Sequence, residues 1–169
     1  MPRFLGIDPG ANGAISLIEG RDLFEILDCP LHADKSLDHV ELGRIVKSFA
    51  GSTMALIEHV GPIPHKDKKG NRFIPASDFE FAINFGSWVQ AMACAGIHWR
   101  TIAPAEWKRT MGVTSDKQSS VDAAVRLYPG AASLFYGPRR GLMDGRAEST
   151  LLANLASRMW KLSGGRVAA

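Results

Sequence analysis

Four acidic residues adjoin apolar stretches of this chain, and their positions limit how it can fold. They are Asp8, Glu58, Asp144 and Glu148. The first two each end a short apolar run of strand length, and the last two open a helix whose apolar stripe continues through Leu151 and Leu155. Buried carboxylates are unfavourable unless they are paired or bind metal ions. A fold that gathers these acids would form a site for hard divalent cations, and so predicts metal-dependent chemistry on phosphates.

The composition predicts a single domain covering residues 1–169, with a frayed tail after about residue 163. Its 46% apolar and 22% charged content are ordinary for a globular protein. No apolar run approaches the roughly 20 residues of a membrane span, and the N-terminus shows no signal-peptide pattern. Cys29 and Cys94 have no motif spacing, which favours reduced cysteines and a cytoplasmic location.

Basic residues occur in clusters, which is more informative than the net charge of +3. The clusters contain Lys66, Lys68, Lys69 and Arg72, then Lys108 with Arg109, then Arg139 with Arg140. Basic loops around an acidic centre suit a polyanion that is held while metal ions act on it. The alternative is that each cluster is simply a solvated loop.

The first third of the chain shows the pattern of an antiparallel meander followed by a helix and a fourth strand. Alternating apolar residues and turn signals predict strands over 3–8, 14–18 and 23–27, with Asn12-Gly13 as a tight turn. Helical spacing predicts a helix over 37–50, capped by Ser36 or Asp34. A strand over 54–58 reached through a helix favours parallel pairing with the first strand.

The rest of the chain is mainly helical. We predict a loop over 61–77, an apolar helix over 78–95, a strand over 97–102, a loop over 130–141, and helices over 105–111, 117–127 and 144–162. The sum is an α/β domain built around a mixed sheet.

This topology would bring the acids to one edge of the sheet. Asp8 and Glu58 would end neighbouring parallel strands, roughly 4.8 Å apart, where open α/β sheets bind ligands. Asp144 and Glu148, four residues apart, share one helix face. Two simpler explanations stay open: Asp144 could be a helix cap, and the glycines 10 and 13 could serve a hairpin turn instead of the approach of a phosphate.

Three motifs carry a family resemblance. They are Gly6-Ile7-Asp8-Pro9-Gly10, Leu56-Ile57-Glu58 and Asp144-Gly145-Arg146-Ala147-Glu148. In this order and spacing the chain resembles RuvC-like Holliday junction resolvases over roughly residues 3–162. The resemblance implies a ribonuclease H-like fold, with a five-stranded mixed sheet of order 3-2-1-4-5 flanked by helices. The small size of the chain fits a phage or bacterial origin, by analogy with this family.

The same resemblance implies roles for individual residues. Asp8 would bind both of two Mg²⁺ ions, which Mn²⁺ could replace; Glu58, Asp144 and Glu148 would be further ligands, and Lys108 and Lys117 would lie near the scissile strand. The family pattern often has Asp at the position of Glu148, and His or Asp at that of Met143. Family members are homodimers that nick two opposed strands of a four-way junction.

These considerations predict a metal-dependent endonuclease that resolves four-way DNA junctions by paired symmetric nicks, leaving 5′-phosphate and 3′-hydroxyl ends. No nucleotide cofactor and no membrane contact are expected. Phe73 is the candidate for a wedge that opens the junction. The apolar helix over 78–95 could be a dimer surface or plain core, and His59 is expected to be structural, on the opposite sheet face from Glu58.

Three alternatives remain. The chain could be another ribonuclease H-like nuclease that acts on hybrids or flaps, or a junction-binding protein without catalysis. The segment 6–10 also resembles the phosphate loop of actin-like ATPases and sugar kinases, but those folds need a far longer chain.

Overall fold

The computed structural model describes residues 1–59, 65–66, 68–73 and 75–166, and for residues 65, 66, 72, 73, 76 and 77 it describes the backbone alone. The strands are β1 (Arg3–Ile7), β2 (Ala14–Glu19), β3 (Asp22–Asp28), β4 (Met54–Glu58), β5 (His65–Lys66), β6 (Arg72–Phe73) and β7 (Trp99–Ile102). The α-helices are α1 (His39–Ser48), α2 (Ala76–Cys94), α3 (Pro104–Met111), α4 (Lys117–Leu127) and α5 (Asp144–Leu162).

Five strands form one mixed sheet in the order β3-β2-β1-β4-β7. Strands β1, β2 and β3 are antiparallel neighbours, whereas β4 runs parallel to both β1 and β7. The predicted order 3-2-1-4-5 and the parallel pairing of the first and fourth strands are therefore confirmed. The register pairs Ile7 with Ile57, so the carboxyl ends of β1 and β4 lie side by side.

The two faces of this sheet pack against different helices, because successive side chains of a strand point to opposite faces. Leu5 and Ile7 join the cluster that contains residues of α1 and α2. Phe4, and Leu56 on β4, join the cluster that contains residues of α3, α4 and α5. The fold thus has three layers, with the sheet buried on both faces in its centre.

Helix α5 lies directly against the backbone of β1. A Cβ atom placed on Gly6 would come within 2.0 Å of the Ser149 carbonyl oxygen, so only glycine allows this approach. A Cβ on Gly145 would come within 2.0 Å of the Asn12 carbonyl oxygen, in the turn between β1 and β2. The first turn of α5 is therefore in backbone contact with the segment that follows Asp8.

Several boundaries differ from the predictions. The cap of α1 is Asp38, whose carboxylate accepts hydrogen bonds from the Val40 and Glu41 amides, so the prediction of Ser36 or Asp34 was wrong. Asp34 instead accepts both the amide and the hydroxyl hydrogen bonds of Ser36 within a preceding turn.

Two predicted loops contain short regular elements. Strands β5 and β6 pair as an antiparallel hairpin inside the segment 61–77, and α2 begins within it, at residue 76. The segment 130–141 contains most of one 3-10 helix, Pro129–Phe135, and all of another, Pro138–Arg140. By contrast, the predicted bounds of the last helix, 144–162, are confirmed. None of the helices in the described part of the chain combines the length and apolarity needed to cross a membrane.

Candidate metal-dependent nuclease site

The acids on the strands are placed by register and alternation. Ile7 of β1 pairs with Ile57 of β4. The next residue on each chain segment is an acid, Asp8 directly after β1 and Glu58 at the end of β4, so the two acids lie at equivalent positions. Because alternation continues along each strand, both acidic side chains follow the face of Leu56, toward α5. His59 lies on the other face, where its ring is 4.6 Å from that of Phe85 on α2, as the sequence predicted.

Asp8 is held in an environment that disfavours its charge. Burial raises the pKa of the Asp8 carboxyl to about 7, although the Gly10 amide, 3.1 Å from Oδ1, acts in the opposite direction. Repulsion from Glu58, Glu148 and Asp144 raises that pKa further. The other three acids are thus close enough to act electrostatically on Asp8, and an added positive charge would stabilise the ionised group.

Glu58 is buried beside a neutral donor. The indole Nε1 of Trp107, on α3, donates a hydrogen bond of 2.7 Å to Glu58 Oε1. Burial raises the pKa of Glu58, while the Trp107 hydrogen bond lowers it; Glu148 then raises it and Lys108 lowers it.

The two acids on α5 form ion pairs with the lysines that the resemblance singled out. Lys117 Nζ is 2.7 Å from Asp144 Oδ2, and Lys108 Nζ is 2.9 Å from Glu148 Oε1. Asp144 is the first residue of α5, and Met143 holds the cap position without a side-chain hydrogen bond, so the explanation of Asp144 as a helix cap was wrong.

Glu148 also has a neutral donor. The hydroxyl of the buried Ser120, on α4, donates a 3.1 Å hydrogen bond to the same Oε1 that Lys108 contacts. Arg146, between the two acids in sequence, contacts a different region: its Nε and Nη2 bind Asp28 at the end of β3, each at 2.6 Å. The site is therefore joined to α3, α4 and α5 as well as to the sheet.

The donor set fits divalent cations in its chemistry. Four carboxylates supply hard oxygen ligands, which suit Mg²⁺ or Mn²⁺, and burial and the neighbouring acids disfavour the ionised form of Asp8, which a cation would stabilise. Within the described residues, no three acidic, histidine or cysteine side chains are gathered as a ready-made coordination shell. The positive charges that contact the helix acids in this structure are those of Lys108 and Lys117. Asp8, Glu58, Asp144 and Glu148 are the residues that would hold the cations.

The predicted DNA-binding residues lie on several surfaces. Lys68, Lys69, Arg109, Arg139 and Arg140 are exposed. Arg139 and Arg140 both have positive φ angles, of 58° and 59°, in the tight turn that precedes α5. Lys108 is largely buried and directed to Glu148. The predictions for the side chains of Lys66, Arg72 and Phe73 lie outside what the structure describes, although their backbones form the β5–β6 hairpin.

Sequence reasoning missed Trp107 and Ser120. A tryptophan and a serine on amphipathic helices carry no signal of a polar role, because the same residues occur in ordinary cores. The only available hint was that Trp107 precedes Lys108, which the resemblance placed near the site.

The fold and the arrangement of acids define the class of structure. A five-stranded sheet of this order, flanked by helices and with acids at the carboxyl ends of β1 and β4, is a ribonuclease H-like fold. Two solved structures of RuvC from Thermus thermophilus share it over nearly their whole length.

One is RuvC in complex with a Holliday junction substrate, with a TM-score of 0.59, 13% sequence identity, and coverage of 98% of each chain. The other is described as the RuvC structure, with a TM-score of 0.57, 15% identity, and coverage of 93% of this chain and 96% of that one. No protein-family model matches the chain, and no curated protein matches its sequence. The likeness therefore establishes the fold.

Proposed function

We propose that this protein is a metal-dependent endonuclease that resolves four-way DNA junctions by paired symmetric nicks, leaving 5′-phosphate and 3′-hydroxyl ends. The observation that carries the proposal is that three acids act electrostatically on Asp8 at the carboxyl edge of a RuvC-like sheet, and that two of these acids pair with lysines. The solved RuvC structure bound to a junction supports branched DNA as the substrate class. The cytoplasm of a bacterium or a phage-infected cell is the proposed location.

The residues of the site divide the chemical work. When bound, two divalent cations supply Lewis acidity at the scissile phosphate and at the attacking water. Glu58, Glu148 and Asp144 all raise the pKa of Asp8, so Asp8 is the residue that would be suited to hold both cations. The sheet fixes Asp8 and Glu58, which limits the reorganisation that binding requires.

The two lysines act at the next stage. If the carboxylates held cations, Lys117 and Lys108 would be released from their ion pairs and would be available to the phosphate. A positive charge near the scissile group stabilises the charge that develops in the transition state. The exposed Lys68, Lys69, Arg109, Arg139 and Arg140 hold the DNA arms through backbone phosphates, without reading the sequence.

A homodimer with two-fold symmetry matches the symmetry of a four-way junction. Helix α2 buries Trp88 and Met92 in the core, so part of it is plain core, but it leaves Phe79 largely exposed and Ile83 about half exposed. Ile83 lines a cavity of about 780 Å³ between α1 and α2. This apolar face supports α2 as the dimer surface.

The proposed dimer surface is tested by placing a charged side chain on α2. Ile83→Glu should convert a dimer to a monomer in light scattering and abolish paired nicking, because a carboxylate would be buried at the interface. Phe24→Glu is the matched control, since Phe24 is also apolar and exposed but lies on the edge strand β3. A wild-type monomer that still cuts in pairs would exclude this interface.

The function itself is tested with synthetic DNA. A four-way junction is incubated with the protein, with and without Mg²⁺, and the nicks are mapped at nucleotide resolution. We expect symmetric nicks in opposed strands, dependent on Mg²⁺ and sealed by a DNA ligase, which requires 5′-phosphate and 3′-hydroxyl ends. Flap DNA, an RNA–DNA hybrid and plain duplex are run in parallel, and preferred cutting of a flap or hybrid would favour the alternative nuclease.

Asp8→Asn distinguishes a nuclease from a junction-binding protein. The change keeps the size and removes the charge, so we expect a loss of cutting greater than about 100-fold, since even the outer partners of metal ligands alter activity by about 10- to 100-fold. Junction binding should persist. Asp122→Asn is the control, because Asp122 is an exposed acid on α4 that can keep its contact with Gln118. Equal processing by wild type and Asp8→Asn would exclude catalysis by this site.

A further inference from the structure

Two fully buried side chains of the described residues donate hydrogen bonds to the four acids, Ser120 to Glu148 and Trp107 to Glu58, and only Trp107 contacts an acid on a strand. Its Nε1 is 2.7 Å from Glu58 Oε1. The indole is packed in the cluster formed by the sheet, α3, α4 and α5. Burial on this scale fixes the ring, so the direction of its N–H bond is fixed as well.

The hydrogen bond from Trp107 uses Oε1 of Glu58 and does not involve Oε2. No second donor to the Glu58 side chain is found among the described residues. A carboxylate with one oxygen held by a rigid donor has lost most of its rotational freedom, so its remaining oxygen faces a set direction. Outer hydrogen bonds of this kind orient the ligands of metal sites.

Trp107 differs from the lysines in how it responds to a cation. An incoming cation competes electrostatically with Lys108 and Lys117, because they neutralise the same carboxylates. An indole N–H carries no net charge and is a donor only, so it and a cation can bind different oxygens of one carboxylate. The Lys108 ammonium lies 5.1 Å from the centre of the Trp107 ring, so the indole also restricts the position of that lysine.

We propose that Trp107 is a positioning residue that orients Glu58 for cation binding through its indole N–H. The inference rests on the proposed function, because Glu58 is a cation ligand only if the site is a metal centre. It assigns a role to α3, which supplies Trp107 to Glu58 and the adjacent Lys108 to Glu148.

The test removes the N–H group from position 107. In Trp107→Phe the ring remains apolar and no donor remains. A sharper replacement is β-(3-benzothienyl)alanine at position 107, in which a sulfur atom takes the place of the N–H group at nearly constant shape. Binding of Mn²⁺ to the DNA-free protein is measured from the EPR signal of the free ion, and junction cutting is measured as a function of Mn²⁺ concentration.

Trp88→Phe is the matched control. Trp88 is also fully buried, but it belongs to the cluster on the opposite sheet face, where its indole faces the thiol of Cys29 and not one of the four acids. Both phenylalanine variants lose the same volume from a core, so their urea midpoints measure the packing effect. Only the variant at position 107 removes a donor from an acid.

For both replacements at position 107 we expect Mn²⁺ affinity to weaken by at least about tenfold, the lower bound for outer partners of metal ligands. The kcat at fixed Mn²⁺ should fall, with junction affinity unchanged, and excess Mn²⁺ should restore part of it. Trp88→Phe should bind Mn²⁺ as the wild type does. If the benzothienyl variant has the Mn²⁺ affinity and the urea midpoint of the wild type, the inference about Trp107 is wrong, but the proposed nuclease function is unaffected. A wild-type protein that neither binds Mn²⁺ nor cuts would overturn both.

Discussion

The acids on strands and the acids on α5 are held in opposite ways. Asp8 and Glu58 accept hydrogen bonds from neutral donors, the Gly10 amide and the Trp107 indole, and burial raises the pKa of both. Asp144 and Glu148 instead pair with Lys117 and Lys108. The strand acids are placed rigidly without any ion pair among the described residues, whereas the helix acids are neutralised by charges on long side chains.

This difference suggests a division of labour within one site. The strand pair is rigid and electrostatically unfavourable, so it should gain most from the arrival of a cation. The helix pair is already neutralised by Lys117 and Lys108, so a cation bound there would have to displace these lysines. Three measurements test this contrast between the strand acids and the helix acids.

The largest effect concerns the pH dependence of folding in the presence of a chelator. The carboxyl of Asp8 has a pKa of about 7 in the folded protein against 3.8 ordinarily. Between these values the folded state keeps a proton that the unfolded chain releases, so the free energy of unfolding falls as the pH rises. At about 1.4 kcal/mol per pKa unit, Asp8 should destabilise the metal-free protein by up to about 4 kcal/mol above pH 7.

Urea unfolding of wild type and Asp8→Asn at pH 4 and pH 8 checks this expectation. The difference between the two proteins isolates Asp8 from the other titrating groups. The variant should be distinctly more stable than wild type at pH 8 and closer to it at pH 4. If the two proteins differ in free energy of unfolding by the same amount at pH 4 and pH 8, the buried Asp8 carboxyl does not destabilise the fold.

The next effect concerns the contact between Gly6 of β1 and the backbone of α5, which sets the helix acids relative to the strand acids. Gly6→Ala would place a Cβ 2.0 Å from the Ser149 carbonyl oxygen and 2.2 Å from the Ala153 amide nitrogen, so α5 must move. Overpacking of this kind destabilises by about 1–3 kcal/mol. Because the strand acids stay on their strands while the helix acids shift, we expect cutting to be lost even where circular dichroism shows a folded protein.

Gly43→Ala is the matched control. Gly43 lies inside α1, and a Cβ there meets no atom within 4 Å. Alanine is a better helix former than glycine by about 1 kcal/mol, so this variant should be slightly more stable than wild type and fully active. Normal cutting by Gly6→Ala would mean that the site tolerates displacement of the helix acids.

Much of this arrangement was predictable because it depends on local patterns. The turn at Asn12-Gly13 and the strand–helix–strand order fixed the sheet, and parallel pairing then required Asp8 and Glu58 to meet. The spacing of α5 predicted its bounds and its two acids.

The donors could not be predicted in the same way. Which side chain reaches Glu58 depends on how α3 is oriented against the sheet, and the sequence of α3 contains no signal for that angle. The cap of α1 was missed for a related reason. The bridge between Leu31 and Leu37 moves the helix start beyond Ser36, so Asp38 becomes the first available cap.

The smallest effect tests whether the lysines compete with cations. The Lys117 side chain is 63% exposed, so its ion pair with Asp144 should contribute less than about 1 kcal/mol to folding. If Lys117 must be displaced, Lys117→Met should bind Mn²⁺ up to about fivefold more tightly, the equivalent of about 1 kcal/mol, while its kcat falls because the phosphate loses a positive partner. Lys161→Met, in the last turn of α5, is the control with the same loss of charge far from the acids. Weaker Mn²⁺ binding by Lys117→Met would instead mean that the lysine orders Asp144 for the cation, and the two pairs of acids would then be prepared in the same way.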